Sequence, residues 1–262
     1  MNILEIKDLS KTYSNGVRAL DSLNLFLREG TILGLVGPNG AGKTTTINIL
    51  AGLVKKDCGE IYIFGNKIRE SDYEYKRFIG FVLEKPVYFE KLTGREYLEF
   101  VGSMFDIPRD ETRRRVNNLL KLFELEEKSD ELIEKYSAGM KKKVSIMAAI
   151  IHNPKLLILD EPLEGLDPMS SKLVKDILRS MVNRGASVLI SSHYLDMVER
   201  FCDEVAIINK GRVVFQDRTE NIQKRIKDEI SKETYATLEE IFIKVVSDNS
   251  GVKDVRKEID WI

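Results

Sequence analysis

Cysteine is scarce in this chain of 262 residues: there are two, Cys58 and Cys202. They lie far apart and form no metal-spaced pair, so the expectation is two free thiols in a cytosolic protein. Long apolar runs are missing too. The longest, Val144 to Ile151, falls far short of the roughly 18 residues that a membrane span requires. Met1 leads directly into the alternating stretch NILEIKDL, without the apolar segment of a signal peptide. Work at a membrane would therefore need another chain to supply the span. Nor does charge of one sign dominate: 41 Lys and Arg face 42 Asp and Glu, a formal net charge of −1. That balance argues against broad electrostatic attraction to nucleic acid, and no nucleic-acid partner is expected. The basic runs Arg113-Arg114-Arg115 and Lys141-Lys142-Lys143 are short, and the first reads as a solvated helix face. Internal repeats, low-complexity tracts and sustained heptads are lacking as well.

What is present is an ordinary globular composition, 43% hydrophobic and 32% charged, in a chain long enough to bury a core. Residues 31–52, TILGLVGPNGAGKTTTINILAG, organise it. Thr31 to Val36 reads as a fully buried strand. Gly37, Pro38, Asn39, Gly40, Ala41, Gly42, Lys43, Thr44 and Thr45 follow, and Thr46 to Leu53 reads as a helix. Strand, glycine-rich loop, Lys-Thr and helix is the context of a phosphate-binding loop. The glycines remove the Cβ atoms that would keep backbone from wrapping a phosphate. The N–H groups of the loop and of the helix N-terminus then point at the anion. Lys43 adds a point charge for the outer phosphates, and the Thr44 hydroxyl suits Mg²⁺.

The N-terminal part reads as β-rich. Ile3 to Leu9 and Leu20 to Leu27 alternate apolar and polar, and a hairpin is expected around Gly65-Asn66. Ile79 to Leu83 is a short buried strand that ends at Glu84. Residues 86 to about 152 read as a helical subdomain. Thr93-Gly-Arg-Glu96 is a capping box, and Tyr97, Phe100, Val101, Met104 and Phe105 follow at helical spacing. Val116, Leu119, Leu120 and Phe123 mark a second helix; a third runs from Tyr136 to about Ile151 and stops at Asn153-Pro154. His152, beside that break, reads as structural. Lys155 to Asp160 is a buried strand, Asp167-Pro168 opens a helix, and Val188 to Ser191 is a strand with Ser192-His193 at its end. Val205 to Ile208 and Arg212 to Phe215 pair as a hairpin. The expected fold is α/β, a P-loop NTPase with a mostly parallel core sheet, an antiparallel β-layer near the N-terminus and an inserted helical subdomain. Residues 217–262 form a tail with one amphipathic helix opened by Thr237, on which Leu238, Ile241, Phe242 and Val245 share a face.

Asp160 and Glu161 end an apolar strand. In parallel α/β sheets ligands sit at the C-terminal strand ends, so these acids belong on the edge that carries the P-loop. Asp160 is suited to hold the hydration shell of Mg²⁺, and Glu161 to orient or deprotonate an attacking water.

Taken in order, Tyr13, GPNGAGKTT at Gly37 to Thr45, YSAGM at Tyr136 to Met140, LLILDEP at Leu156 to Pro162, GLD at Gly165 to Asp167, and His193 carry a resemblance. Over residues 1 to about 216 the chain resembles the ATP-binding subunit of an ABC transporter. The resemblance implies an ATPase that uses ATP and Mg²⁺. Tyr13 would stack on the adenine, residues 37–45 would wrap the phosphates, Glu161 would be the catalytic base, and His193 would contact the γ-phosphate. It implies head-to-tail pairing with a second copy or a related ATPase subunit, in which Ser137, Ala138, Gly139 and Met140 of one subunit close over the P-loop of the other. It also implies an integral membrane permease as partner and a place on the cytoplasmic face of the membrane. The compact lobe and short tail look most like subunits of export-type transporters.

Two positions depart from the family pattern. The signature, usually LSGGQ, here gains a Cβ at Ala138 and loses an amide at Met140. Glu84 stands where the family commonly has Gln; its carboxylate could bind Mg²⁺ or its waters. Lys141 to Lys143 oppose the dipole of their helix, which a nearby anion or simple exposure would each explain. The alternative function is a soluble ABC-type mechanical ATPase acting on ribosome or DNA. Those types resemble fused ATPase pairs or carry long coiled coils, and this chain has one P-loop and no heptads.

Overall fold

The computed structural model describes residues 1–69, 71–221 and 238–247. The chain opens with two long antiparallel strands, β1 (Asn2–Thr12) and β2 (Arg18–Arg28), and enters β3 (Ile32–Val36), which is buried at every position. Helix α1 (Lys43–Leu50) follows the glycine-rich loop. Next come β4 (Cys58–Ile63), the short β5 (Asn66–Lys67) and β6 (Ile79–Val82). Three helices make the inserted lobe: α2 (Gly94–Met104), α3 (Arg109–Leu122) and α4 (Ala138–Ile150). The chain then alternates through β7 (Leu156–Asp160), α5 (Pro168–Asn183), β8 (Ser187–Ser192), α6 (Leu195–Phe201), β9 (Glu204–Asn209) and β10 (Arg212–Arg218). Helix α7 (Leu238–Ser247) is the last described element.

Among the described residues the strands form two sheets. One is antiparallel with order β2-β1-β4-β5; the other has order β10-β9-β3-β8-β7-β6 and is parallel except for its β9–β10 edge. This is the expected P-loop architecture with an antiparallel layer and a helical insertion. The two-residue period of β3 divides its side chains between two cores. Leu33 and Leu35 face Ile47 of α1 together with Leu4 and Leu25 of the antiparallel layer. Ile32 and Val36 face the core shared with Val174, Leu178 and the helical lobe. Each such Leu or Ile, fully buried, contributes about 1.5–3 kcal/mol, so β3 is anchored from both sides.

The capping box at Thr93 and Glu96 forms as expected: each side chain accepts from the other residue's backbone N–H. The face of α2 differs from the expectation. Gly94, Leu98 and Gly102 are its buried residues, whereas Phe100 and Met104 stay exposed. The reason is steric. A Cβ on Gly102 would stand 2.5 Å from the Thr112 side chain, so α2 and α3 cross closely at that glycine, and of the stripe only Tyr97 and Val101 pack, partly buried, against the core.

In the tail, α7 packs on α6: Leu238 is buried, Phe242 is partly buried, and the Leu238 N–H donates to the Glu199 carboxylate at 3.2 Å. The carboxylate sits where the helix dipole favours negative charge. The expected cap at Thr237 lies outside the described residues, as do the side chains of Ile241 and Val245.

Candidate functional site

Parallel register brings the functional segments to one edge. Val36 of β3 pairs with Ser192 of β8, Ser191 pairs with Asp160 of β7, and Leu159 pairs with Val82 of β6. The residues just beyond these strand ends, Gly37, His193, Glu161 and Glu84, therefore leave the sheet together. They line a cleft of about 870 Å³ with the rest of the 37–45 loop, Tyr13, Val17, Ala19, Glu164 and Phe242. A separate cavity of about 380 Å³ lies between α1 and β4, lined by Ile49, Leu50, Ile61, Ile63 and Tyr75, and contains none of the phosphate-loop residues.

Helix α1 begins at Lys43, three residues before the Thr46 expected from the sequence. Gly42 explains the shift: it caps the helix with a left-handed φ of 113°, a conformation open to glycine. Lys43, Thr44 and Thr45 thus form the first turn, where backbone N–H groups lack intrahelical acceptors and can meet an anion. The Lys43 ammonium crosses the loop and donates to the carbonyls of Gly37 at 2.7 Å and Pro38 at 3.3 Å. Burial holds its pKa below the usual lysine range, opposed by the charges of Glu161, Asp160 and Glu84. The Thr44 hydroxyl donates to Glu84 Oε2 at 3.2 Å. The Tyr13 hydroxyl lies 3.2 Å from Thr45 Oγ1, which fixes the ring at the cleft mouth.

Asp160 is fully buried beneath the cleft. Its Oδ1 accepts from the Ser191 hydroxyl, while its Oδ2 has no protein partner. Glu161, next to it, holds a left-handed φ of 45°. Its N–H donates to Ser191 Oγ at 3.0 Å and its Oε1 meets His193 Nδ1 at 3.0 Å. Burial raises the Glu161 pKa, partly offset by the His193 hydrogen bond and charge, which moves the carboxylate toward the range of a useful general base. A divalent cation fits this donor set. An unpartnered buried carboxylate oxygen, a hydroxyl and a second carboxylate are hard oxygen ligands suited to Mg²⁺. Among the described residues no three His, Cys, Asp or Glu side chains form a metal cluster, so water and phosphate oxygens would complete the coordination.

The signature segment lies elsewhere. Ser137 caps α4 by accepting from the Met140 N–H at 3.2 Å; Ser137 and Ala138 are exposed, while Gly139 and Met140 are half-buried. None of the four lines the cleft of its own chain. The three lysines that follow are neither idle nor arranged around a free anion. Lys141 pairs with Glu90 at 2.8 Å, Lys142 donates to the Glu161 carbonyl at 3.0 Å, and Lys143 donates to the Phe123 carbonyl at 3.2 Å. Sequence reasoning missed Ser191, as well as Val17, Ala19, Glu164 and Phe242 in the cleft wall, and it noted Lys142 only as part of a basic run. Ser191 carried a local signal in its position two residues before His193 at a strand end, and Lys142 in its place in the run after the signature.

The family model described as ABC transporter matches residues 20–164, more than half of the chain. The chain belongs to this family. It is an ATP-binding subunit and an ATPase whose hydrolysis is coupled to transport. This ABC ATPase is 33% identical to the linearmycin resistance ATP-binding protein LnrL of Bacillus subtilis, over 97% of this chain and 81% of that protein. Its structure is similar to that of an ATP-binding subunit of an ABC transporter, with a TM-score of 0.84 and 32% identity over 93% of this chain and 99% of the other. It is also similar to a dimeric ATP-binding cassette in a post-hydrolysis state bound to ADP and Pi, with a TM-score of 0.75 and 27% identity over 82% and 98% of the two chains. These relatives do not favour a mechanical ATPase of ribosome or DNA.

Proposed function

We propose that this ABC ATPase pairs head to tail with a second copy or a related subunit, hydrolyses ATP at the composite sites so formed, and powers an export-type membrane permease from the cytoplasmic face. Tyr13 takes the adenine at the cleft mouth. Residues 37–45 wrap the phosphates, with Lys43 and the first-turn N–H groups countering their charge. Thr44, Asp160 and Glu84 would hold Mg²⁺, which would supply positive charge to polarise the phosphate oxygens. Glu161 accepts the proton of the attacking water, and His193, bonded to it, faces the outer phosphate. Ser137, Ala138, Gly139 and Met140 serve the partner's nucleotide; they stand at an exposed helix N-terminus outside their own cleft. The export direction is supported by the relative named for linearmycin resistance.

The observation that carries this reading is Glu161: a partly buried carboxylate of raised pKa, bonded to His193 and opening onto the P-loop cleft. Glu161→Gln keeps the shape and loses the basicity. ATP should still bind, hydrolysis should fall by about 10² to 10⁴, and the variant should elute from size exclusion as a dimer only with millimolar ATP. Adding Ser137→Arg should restore the monomer. Wild-type turnover in Glu161→Gln rejects the base; an inactive variant that stays monomeric in ATP rejects spontaneous pairing.

A further inference from the structure

The lysine run after the signature spans the junction between the helical lobe and the nucleotide core. Lys141 and Lys143 stay within the lobe, bonded to Glu90 and to the carbonyl of Phe123 at the end of α3. Lys142 reaches out of it. Its ammonium donates to the backbone carbonyl of Glu161 at 3.0 Å, and it is half-buried in a setting that also holds Glu164, Asp160 and Glu84. A second contact joins the same segments: a Cβ on Gly139 would stand 3.3 Å from the Gly165 carbonyl.

The group that Lys142 holds is unusual. Glu161 has a φ of 45°, a region that side chains other than glycine rarely occupy. Such a conformation persists where the surroundings over-determine it. Four contacts do so here: Ser191 on the Glu161 N–H, His193 on its carboxylate, and both Lys142 and the Glu164 N–H, the latter at 3.2 Å, on its carbonyl. Ser191 and His193 belong to the core sheet and its edge and Glu164 to the turn after Glu161, whereas Lys142 comes from the lobe. Lys142 lies about one and a half turns along α4 from Ser137, on a helix whose Val144, Ser145, Ile146, Met147 and Ala149 are buried. A displacement of the lobe against the core would carry Lys142 with it.

We propose that Lys142 is a positioning residue for hydrolysis: it fixes the peptide of Glu161 from the helical lobe of the same subunit, so that the base is aligned only while the lobe is seated on the core. The inference deepens the reading above and rests on Glu161 as the base. Lys142 does not line the nucleotide cleft and acts through Glu161.

Lys142→Met removes the ammonium and keeps the length of the side chain; Lys142→Arg keeps a donor. Steady-state hydrolysis by the full chain should show a kcat at least about ten-fold lower in Lys142→Met, with KM for ATP within about two-fold. The melting temperature should stay within about 3 °C of wild type, and Lys142→Arg should recover most of the rate. The deciding comparison is the double variant. Added to Glu161→Gln, Lys142→Met should lower residual hydrolysis no further, because the base it positions is gone. An unchanged kcat in Lys142→Met overturns the proposal. So does an equal fold loss in the wild-type and Glu161→Gln backgrounds, or a loss matched by a lower melting temperature and not rescued by Arg. Wild-type turnover in Glu161→Gln alone would instead remove the base assignment and this inference with it.

Discussion

His152 stacks face to face on Phe105, with ring centroids 3.7 Å apart and planes 3° from parallel. Its Nε2–H donates to the Ile79 carbonyl at 3.2 Å, while the buried Nδ1 has no partner. A proton on Nδ1 would be an unsolvated charge near Arg115. Burial, with that charge adding to it, holds the histidine down to about 4 from 6.5. The unfolded chain therefore binds a proton below about pH 6.5 that the folded chain refuses until about pH 4. Stability from this residue is full above that window and falls as pH drops through it, by at most about 3 kcal/mol and less where solvent screens the ring. Melting curves of wild type and His152→Phe, compared from pH 7.5 to 4, should show the wild type losing more of its melting temperature on acidification. Parallel curves would contradict this account. His152 was legible as structural from its place beside Asn153-Pro154. Its partner Phe105, which ends another helix, was not.

Helix α2 shows a periodicity that misleads. Tyr97, Phe100, Val101 and Met104 recur at helical spacing, yet the closest packing runs along Leu98 and Gly102. Spacing identifies a stripe, and tertiary contact decides how far it turns inward. Gly102 sets that turn. Gly102→Ala gains helix propensity of nearly 1 kcal/mol but drives a Cβ to 2.5 Å from Thr112 Cγ2 and 3.1 Å from its hydroxyl. Thr112 is buried and its hydroxyl donates to the Ile107 carbonyl, so it cannot yield freely. Gly102→Ala should destabilise by about 1–3 kcal/mol in urea unfolding, and Thr112→Ser should recover part of the loss by removing the clashing methyl. A stabilised Gly102→Ala would show that the helices can slide apart at no cost.

For the whole molecule, α2 and the segment before it leave apolar side chains on the surface. Val87 is 91% exposed, Phe89 58% and Met104 65%, and Phe89 meets Phe100 edge to face at 5.3 Å. Val87 and Phe89 lie in the segment between Glu84 at the nucleotide cleft and α2 of the lobe, and exposed apolar side chains of this size suit an interaction site. Among the described residues no helix is long and apolar enough to cross a membrane. Exposed apolar side chains of this kind would suit the proposed permease. Val87→Arg with Phe89→Asp should sharply reduce recovery of the subunit with the membrane fraction while ATP hydrolysis by the purified subunit stays within about two-fold, since surface changes away from a site rarely alter its stability or geometry. Undiminished recovery would point the permease to another face.

The sequence by itself determined the chemistry of the loop and the order of the elements. Gly37 to Thr45 is a local solution to binding phosphate, in which backbone N–H groups, glycine conformations and one lysine act within nine consecutive positions. Buried strands announce themselves by apolar runs, and parallel connections then put Asp160, Glu161 and His193 on the loop's edge. Tertiary structure alone decided which carbonyl Lys142 reaches, that Ser191 bonds both Asp160 and Glu161, and which face of α2 is covered. Those outcomes depend on distances between side chains that are far apart in the chain. A lysine's composition and spacing are the same whether its ammonium ends in water or on the peptide of Glu161; only the packing of α4 against the end of β7 separates the two.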